Sequence, residues 1–210
     1  MEKILIAVPC MDQVPARFAH SLASLKMVGE CALWFEIGSL IYTSRNNICK
    51  KAIEMDADYV MWFDSDMMFA PDTMERMYKF MQKEKLDMVS GLYFRRVPPF
   101  TPVLFDRLDV DANGTCFWTE VKDIPDKPFE VGGCGFGCVL MRTDVIMNVQ
   151  GKFGELFTPI GRMGEDLSFC WRARQCNFKI VCDPRIDLGH VGTMVTNRDF
   201  YESYRGGANA

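Results

Sequence analysis

Apolar residues in this chain fall into strand-length runs that alternate with helix-period stretches. KILIAVPC (3–10) is continuously apolar and rich in Ile, Leu and Val, the pattern of a strand buried on both faces. Pro15 opens a helical stretch, ARFAHSLASLKMV. A second apolar run, CALWFEIG (31–38), predicts another strand ending at a Gly. Ser44 is the expected N-cap of the helix RNNICKKAIEMD, with Ile48, Ala52, Ile53 and Met55 as its inward stripe. YVMWF (59–63) reads as a third buried strand, closed by the acidic turn DSD. After Pro71 and Asp72, TMERMYKFMQKEK predicts a helix with Met74, Met77, Tyr78 and Met81 on one face, and MVSGLYF (88–94) a fourth strand.

This alternation predicts an α/β fold of three layers, α/β/α, with a mainly parallel central sheet. From about residue 95 the rhythm changes. Prolines 98, 99 and 102, the turn DANG (111–114) and the run CFWTEV predict a hairpin or small mixed-sheet region. GGCGFG (132–137) reads as a flexible turn before the strand CVLM, followed by a helix from about Asp144. A further helix is expected to start near Glu165, and FKIVCD (178–183) to be the last strand. Residues 1–210 form one domain on this reading, divided near residue 94, with an irregular tail over 191–210.

Composition narrows the function. The 210 residues, 49% hydrophobic, are enough for one full core. With 28 Asp and Glu against 24 Lys and Arg, the net charge of -4 argues against sequence-independent nucleic-acid binding. No apolar run approaches bilayer length, and the N-terminus runs into Pro9 and Cys10 without a cleavage site, so neither a transmembrane segment nor a signal peptide is expected. Nine Cys, an odd number mostly within apolar stretches, predict free buried thiols in a reducing, cytoplasmic compartment. Cys134 and Cys138 lack the partners of a zinc site.

The candidate chemistry sits where strands end. Asp64 and Asp66 follow YVMWF and project to one side if the extended period continues, a pairing suited to Mg²⁺ or Mn²⁺ bridging to phosphate oxygens. Glu165 and Asp166 open a helix after the Gly-containing loop IGRMG, where a carboxylate near an electrophile serves as general base. His190, between glycines, is a poor core histidine and a candidate metal ligand or phosphate contact. Arg45, and one of Arg95 and Arg96, are candidates to meet an anionic group. Glu36 and Asp12 are candidates to hydrogen-bond a base or ribose, and Trp118 to lie against a sugar ring.

In order along the chain, the AVPC strand end, Arg45-Asn46-Asn47, Asp64-Ser65-Asp66, GCGFGCVLMR, Gly164-Glu165-Asp166 and His190 resemble the glycosyltransferases of the GT-A fold, closest to the family 2-like group. The resemblance spans roughly residues 3–190. It implies a nucleotide-binding half over 1–94 and a half for donor sugar and acceptor over 95–190. It implies that Asp66 ligates Mn²⁺ or Mg²⁺, that Asp64 contacts the ribose or the metal-bound water, and that His190 is a late metal ligand. Pro9, Glu36 and Arg45 then lie near the nucleotide, Gly133 to Gly137 line the donor-sugar and acceptor cleft, and Asp166 is the base on the acceptor. The implied activity is metal-dependent transfer from a nucleoside-diphosphate sugar, UDP-sugar favoured, to a hydroxyl of a glycan, protein or small molecule, with inversion. The alternatives are a catalytically weak nucleotide-sugar-binding module and a metal-dependent phosphoryl or nucleotidyl transfer enzyme. For phosphoryl transfer the D-x-D should follow the first strand, and here it follows the third.

Overall fold

A computed structural model describes residues 1–192 and 195–207. The first half runs β1 (Lys3–Cys10), α1 (Ala16–Ala23), β2 (Glu30–Ile37), α2 (Ile41–Glu54), β3 (Tyr59–Phe63), β4 (Met67–Met68), α3 (Thr73–Glu84) and β5 (Met88–Leu92). The second half runs β6 (Leu104–Val110), β7 (Cys116–Glu120), β8 (Phe129–Glu130), β9 (Gly133–Cys134), β10 (Cys138–Arg142), α4 (Thr143–Phe153) and α5 (Glu165–Gln175). It closes with β11 (Ile180–Asp187), β12 (Gly189–Val191), β13 (Val195–Thr196) and α6 (Arg198–Gly207).

A seven-stranded sheet in the order β2-β1-β3-β10-β5-β11-β8 forms the middle layer. Alternate residues of its strands feed two cores, as the two-residue period of a strand requires. Leu5, Ala7, Val60 and Trp62 pack with Ile48 of α2, Val145 of α4 and Phe169 of α5 on one face. Ile4, Ile6, Val8, Met61 and Phe63 pack with Phe18 of α1 and Met74, Met77 and Met81 of α3 on the other. The expected methionine stripe on α3 thus lies inward, with Tyr78 half-buried beside it.

The sheet is mixed, which corrects the expectation of a mainly parallel one. β2, β1 and β3 are parallel, and β5 and β11 are parallel, but β10 runs antiparallel between β3 and β5, and β8 antiparallel to β11. The cause is the connection. No crossover helix separates β9 from β10, so the chain enters β10 at the end where β3 finishes and runs back.

β2 is an edge strand and not a fully buried one, with Leu33, Trp34, Phe35 and Ile37 exposed. α2 starts at Ile41, and Ser44 lies buried in its first turn without acting as a cap. Ile53 faces outward, because the buried stripe of α2 is Arg45, Ile48, Cys49 and Ala52. GGCGFG is not a flexible turn: Gly132 to Gly137 are buried. A Cβ at Gly135 or Gly137 would collide with the Tyr93 ring system, at 2.0 Å and 2.8 Å, so these glycines serve close packing. The tail expected to be irregular carries β13 and α6, while residues 208–210 lie outside the described residues.

Two small antiparallel sheets complete the fold, β7-β6-β9 and β13-β12-β4. The first is the expected hairpin region. All nine cysteines are free, six of them buried. Among the described residues, no helix is long and apolar enough to cross a membrane.

Candidate functional site

β1 and β3 end side by side, and the chain turns sharply at Asp64-Ser65-Asp66 before β4. The turn is closed by a Met67 N–H donating to Asp64 O at 3.1 Å and anchored to the next strand by Asp64 N–H donating to Gly137 O at 3.1 Å. Both aspartates face a cleft of ≈ 310 Å³ that is also lined by Pro9, Ile41, Arg45, Ser65, Arg96, Glu165, Asp166 and His190. The two carboxylates take different partners within it, Asp64 pairing with Arg45 and Asp66 with Arg96 and His190.

The first cluster is built around Arg45. Its place on α2, one turn before Ile48 and Cys49, puts it on the buried stripe, and it is only 2% exposed. Its guanidinium lies 5.1 Å from the Phe136 ring centroid and 5.7 Å from that of Phe157. Such a buried charge demands partners. Nη2 donates to Asp64 Oδ1 at 3.0 Å and Oδ2 at 3.3 Å, and Nε lies 3.9 Å from Glu165 Oε1. Nη1 lies 2.8 Å from Asp166 Oδ1 but out of line for a hydrogen bond, so that contact is an ion pair alone. The other Asp166 oxygen, Oδ2, accepts from the Phe136 N–H at 3.2 Å.

One guanidinium therefore faces three carboxylates. Burial, together with the charges of Glu165 and Asp64, raises the Asp166 carboxyl to about 7 against the pull of Arg45. Asp64 is raised for the same chief reason, burial, with Asp66 adding to it and Arg45 opposing.

The second cluster is built around Asp66. β4 pairs with β12 in the register His190↔Met67, which carries the imidazole to the turn. His190 Nε2 lies 3.5 Å from Asp66 Oδ2, and His190 Nδ1 lies 2.8 Å from Phe94 O. Arg96 Nη1 lies 2.9 Å from the same Asp66 oxygen. Burial pushes the Asp66 carboxyl up, but its hydrogen bond to His190 and the charges of His190 and Arg96 outweigh it, so the group stays below its ordinary range. The two aspartates are thus driven in opposite directions, Asp64 upward chiefly by burial and Asp66 downward by its His190 and Arg96 partners.

The family model described as glycosyl transferase family 2 matches residues 41–149, just over half of the chain. The chain belongs to glycosyl transferase family 2. No curated protein matches it. Among solved structures, the crystal structure of A197 from STIV superposes with a TM-score of 0.63 at 17% identity, covering 91% of this chain and 86% of that one. The crystal structure of GalNAc-T7 with UDP, GalNAc and Mn2+ superposes with a TM-score of 0.62 at 10% identity, covering 91% of this chain. This chain spans 44% of that chain's length. Both likenesses show a shared fold.

Within this family 2 chain, the cleft brings together Pro9, Arg45, Asp64, Asp66, Glu165, Asp166 and His190 out of the residues expected from sequence. Glu36 lies one strand out, opposite Pro9 in the β1–β2 register, and accepts from Trp34 Nε1 at 3.0 Å and Asn47 Nδ2 at 2.9 Å. Gly133 packs under α5, where a Cβ would meet Leu167 and Cys170 at 3.2 Å and 3.3 Å. Of the two arginines after β5, Arg96 enters the cleft and Arg95 turns away to Glu120, at 2.7 Å. Trp118 is 39% exposed on the β6–β7 hairpin.

Sequence reasoning missed the backbone groups, the Phe136 N–H and the Phe94 carbonyl, which orient Asp166 and His190. Backbone roles leave no mark on residue type. Among the described residues, no three His, Cys, Asp or Glu converge as a ready metal centre.

Proposed function

We propose that the cleft binds a nucleoside-diphosphate sugar with a divalent cation and transfers the sugar to an acceptor hydroxyl. The pairing of Asp66 with His190 carries this reading. The Phe94 carbonyl can only accept, so with a cation bound the ring proton would sit on Nδ1, and Nε2, 3.5 Å from Asp66 Oδ2, would offer the ion its lone pair in place of the hydrogen bond it otherwise makes to that oxygen. Two acceptors aimed at one point suit a cation between them, and a ring locked through its other nitrogen is the usual support of a metal-bound histidine. Two protein donors fit Mg²⁺ or Mn²⁺, ions that take their remaining positions from water and phosphate, and the imidazole favours Mn²⁺. The GalNAc-T7 structure, of the same fold, contains UDP, GalNAc and Mn2+, which makes a UDP-sugar the first donor to test.

The bound ion would neutralise charge on the leaving diphosphate. Asp64, held by Arg45, offers a fixed acceptor to the ribose or to an ordered water. Asp166 takes the proton of the acceptor hydroxyl: its Oδ2 is anchored by the Phe136 N–H, and its Oδ1 has no hydrogen bond. The hydroxyl oxygen attacks the anomeric carbon from the face opposite the diphosphate. The new C–O bond forms as the bond to the phosphate oxygen breaks, and its electron pair leaves with the diphosphate. A base titrating near 7 is half ionised at neutral pH, the range in which general bases work best.

A second reading, a module that binds the nucleotide sugar but transfers slowly, is favoured by one contact. Arg45 Nη1 stands 2.8 Å from the Asp166 oxygen that would take the proton. If that pair stays closed, binding proceeds without turnover.

Calorimetry and transfer assays with a panel of UDP- and GDP-sugars and Mn²⁺ separate the two. Asp66→Ala should abolish metal-dependent binding and transfer while the chain stays folded. Asp166→Asn should keep binding but slow transfer by about 10²–10⁴-fold. Tight binding without transfer by the unaltered chain would support the second reading, and no metal-dependent binding of any nucleotide sugar would sink both.

A further inference from the structure

Arg96 stands where the cation would. Its Nη1 approaches Asp66 Oδ2 to 2.9 Å, the same oxygen that His190 Nε2 approaches to 3.5 Å, and it donates to Val191 O at 3.3 Å. The backbone is shaped for this reach: a Cβ on Gly192 would come within 3.1 Å of Arg96 Cδ, so the arginine stem crosses the strand end over a glycine. The neighbouring Arg95 is committed elsewhere, to Glu120. Arg96 itself is 47% exposed on its side chain, and the next residue, Val97, lies at the surface, so the guanidinium can swing away without disturbing the core.

We propose that Arg96 is a built-in counter-ion of Asp66 that a divalent cation displaces, and that the displaced guanidinium closes on the diphosphate, so that cation and nucleotide enter as a coupled pair. The inference rests on the reading that Asp66 and His190 hold a cation. Its physical basis is that one carboxylate oxygen cannot serve a guanidinium and a divalent ion at once, because the two positive charges repel at contact range. A half-exposed ion pair is weak enough to exchange. Once freed, the planar guanidinium of Arg96 can match two phosphate oxygens, whereas that of Arg45, the other arginine lining the cleft, is engaged by Asp64, Glu165 and Asp166. A diphosphate that attracts Arg96 thereby uncovers Asp66. By linkage, each ligand then tightens the other beyond their direct contact with each other.

Mn²⁺ titrations followed by the electron paramagnetic resonance of the free ion, on the whole chain with and without UDP, test this. Without UDP, Arg96→Gln should bind Mn²⁺ about tenfold tighter than the unaltered chain. UDP should tighten Mn²⁺ binding strongly in the unaltered chain and much less in R96Q. Arg96→Lys, which keeps a positive charge beside Asp66, should stay near the unaltered chain when UDP is absent. Equal Mn²⁺ affinities for the unaltered chain and R96Q would overturn the proposal and leave the cation site standing, and so would R96K behaving like R96Q. If no form binds Mn²⁺ even with UDP, the cation reading fails and this inference falls with it.

Discussion

The same burial that suits Asp166 to take a proton makes its ionised form costly. Its carboxyl titrates near 7 in the fold, against about 3.9 in an unfolded chain. Between those values the folded state holds the proton that the unfolded state has lost. Stability therefore falls as pH rises from about 4 through 7, and stays reduced above that. The attraction of Arg45 is already part of the balance, since it opposes the shift without cancelling it. Asn cannot ionise, so Asp166→Asn should melt at higher temperature than the unaltered chain at pH 8. The gain is on the order of 2 kcal/mol, from about 1.4 kcal/mol per pKa unit discounted for the coupling to Arg45. It should shrink toward zero at pH 4. Melting curves of both chains across that range check the sign, and an Asn chain less stable at pH 8 would show that the Arg45 pair wins. A gain in stability with a loss of transfer is the trade expected of a group kept for chemistry.

At the scale of elements, the short pairing of β4 with β12 places His190, and it tolerates little change. A Cβ on Gly189 would lie 2.8 Å from Val195 Cγ1 and 3.3 Å from Met68 Cβ. Gly189→Ala should therefore wedge β12 away from β4 and carry the imidazole off Asp66. Mn²⁺ affinity should drop by about tenfold or more, since mispositioning a metal ligand costs of that order. The fold should lose only about 1–3 kcal/mol, the usual cost of overpacking. Chemical denaturation and Mn²⁺ titration on the same preparation separate the two, and unchanged Mn²⁺ binding in a destabilised chain would dissociate β12 from the site. This pairing was invisible in the sequence, because strands of two and three residues have no period to read. The long strands β1, β3 and β5 were legible because burial on both faces leaves continuous apolar runs. The direction of β10 was not, since a run such as CVLM reads alike in either sense. Asp64, Asp66 and His190 were legible as polar residues at the ends of apolar runs or between glycines. The burial of Arg45 was written in its spacing to Ile48, Cys49 and Ala52, but a charged residue on such a stripe is ordinarily assigned to solvent. The Arg96–Asp66 contact joins two loops, and nothing local in either one announces the other.

The whole molecule is tied together at the cleft, and this has a consequence for its global opening. Arg45 comes from α2, Asp64 and Asp66 from the turn after β3, Arg96 from the segment after β5, Glu165 and Asp166 from α5, and His190 from β12. A ligand gripped by both clusters therefore binds only when all of these segments are in place. It should stabilise the fold as a unit and not one lobe of it. The free cysteines report on that unit. Cys10, Cys49, Cys134, Cys138, Cys170 and Cys182 are buried, whereas Cys31, Cys116 and Cys176 are partly accessible. Burial also raises the Cys49, Cys138 and Cys182 thiols well above their ordinary range, which keeps them unreactive while the fold is closed. With an aromatic disulfide reagent, the three partly accessible thiols should label first, and the buried set only as fast as the chain opens. Adding UDP and Mn²⁺ at about a hundred times their dissociation constant should slow the buried set by about a hundredfold and leave the accessible set unchanged. Asp66→Ala should lose the part of that protection that depends on Mn²⁺. Protection confined to one or two cysteines would mean instead that the ligand grips a single cluster, and that the two halves of the cleft do not act on one substrate.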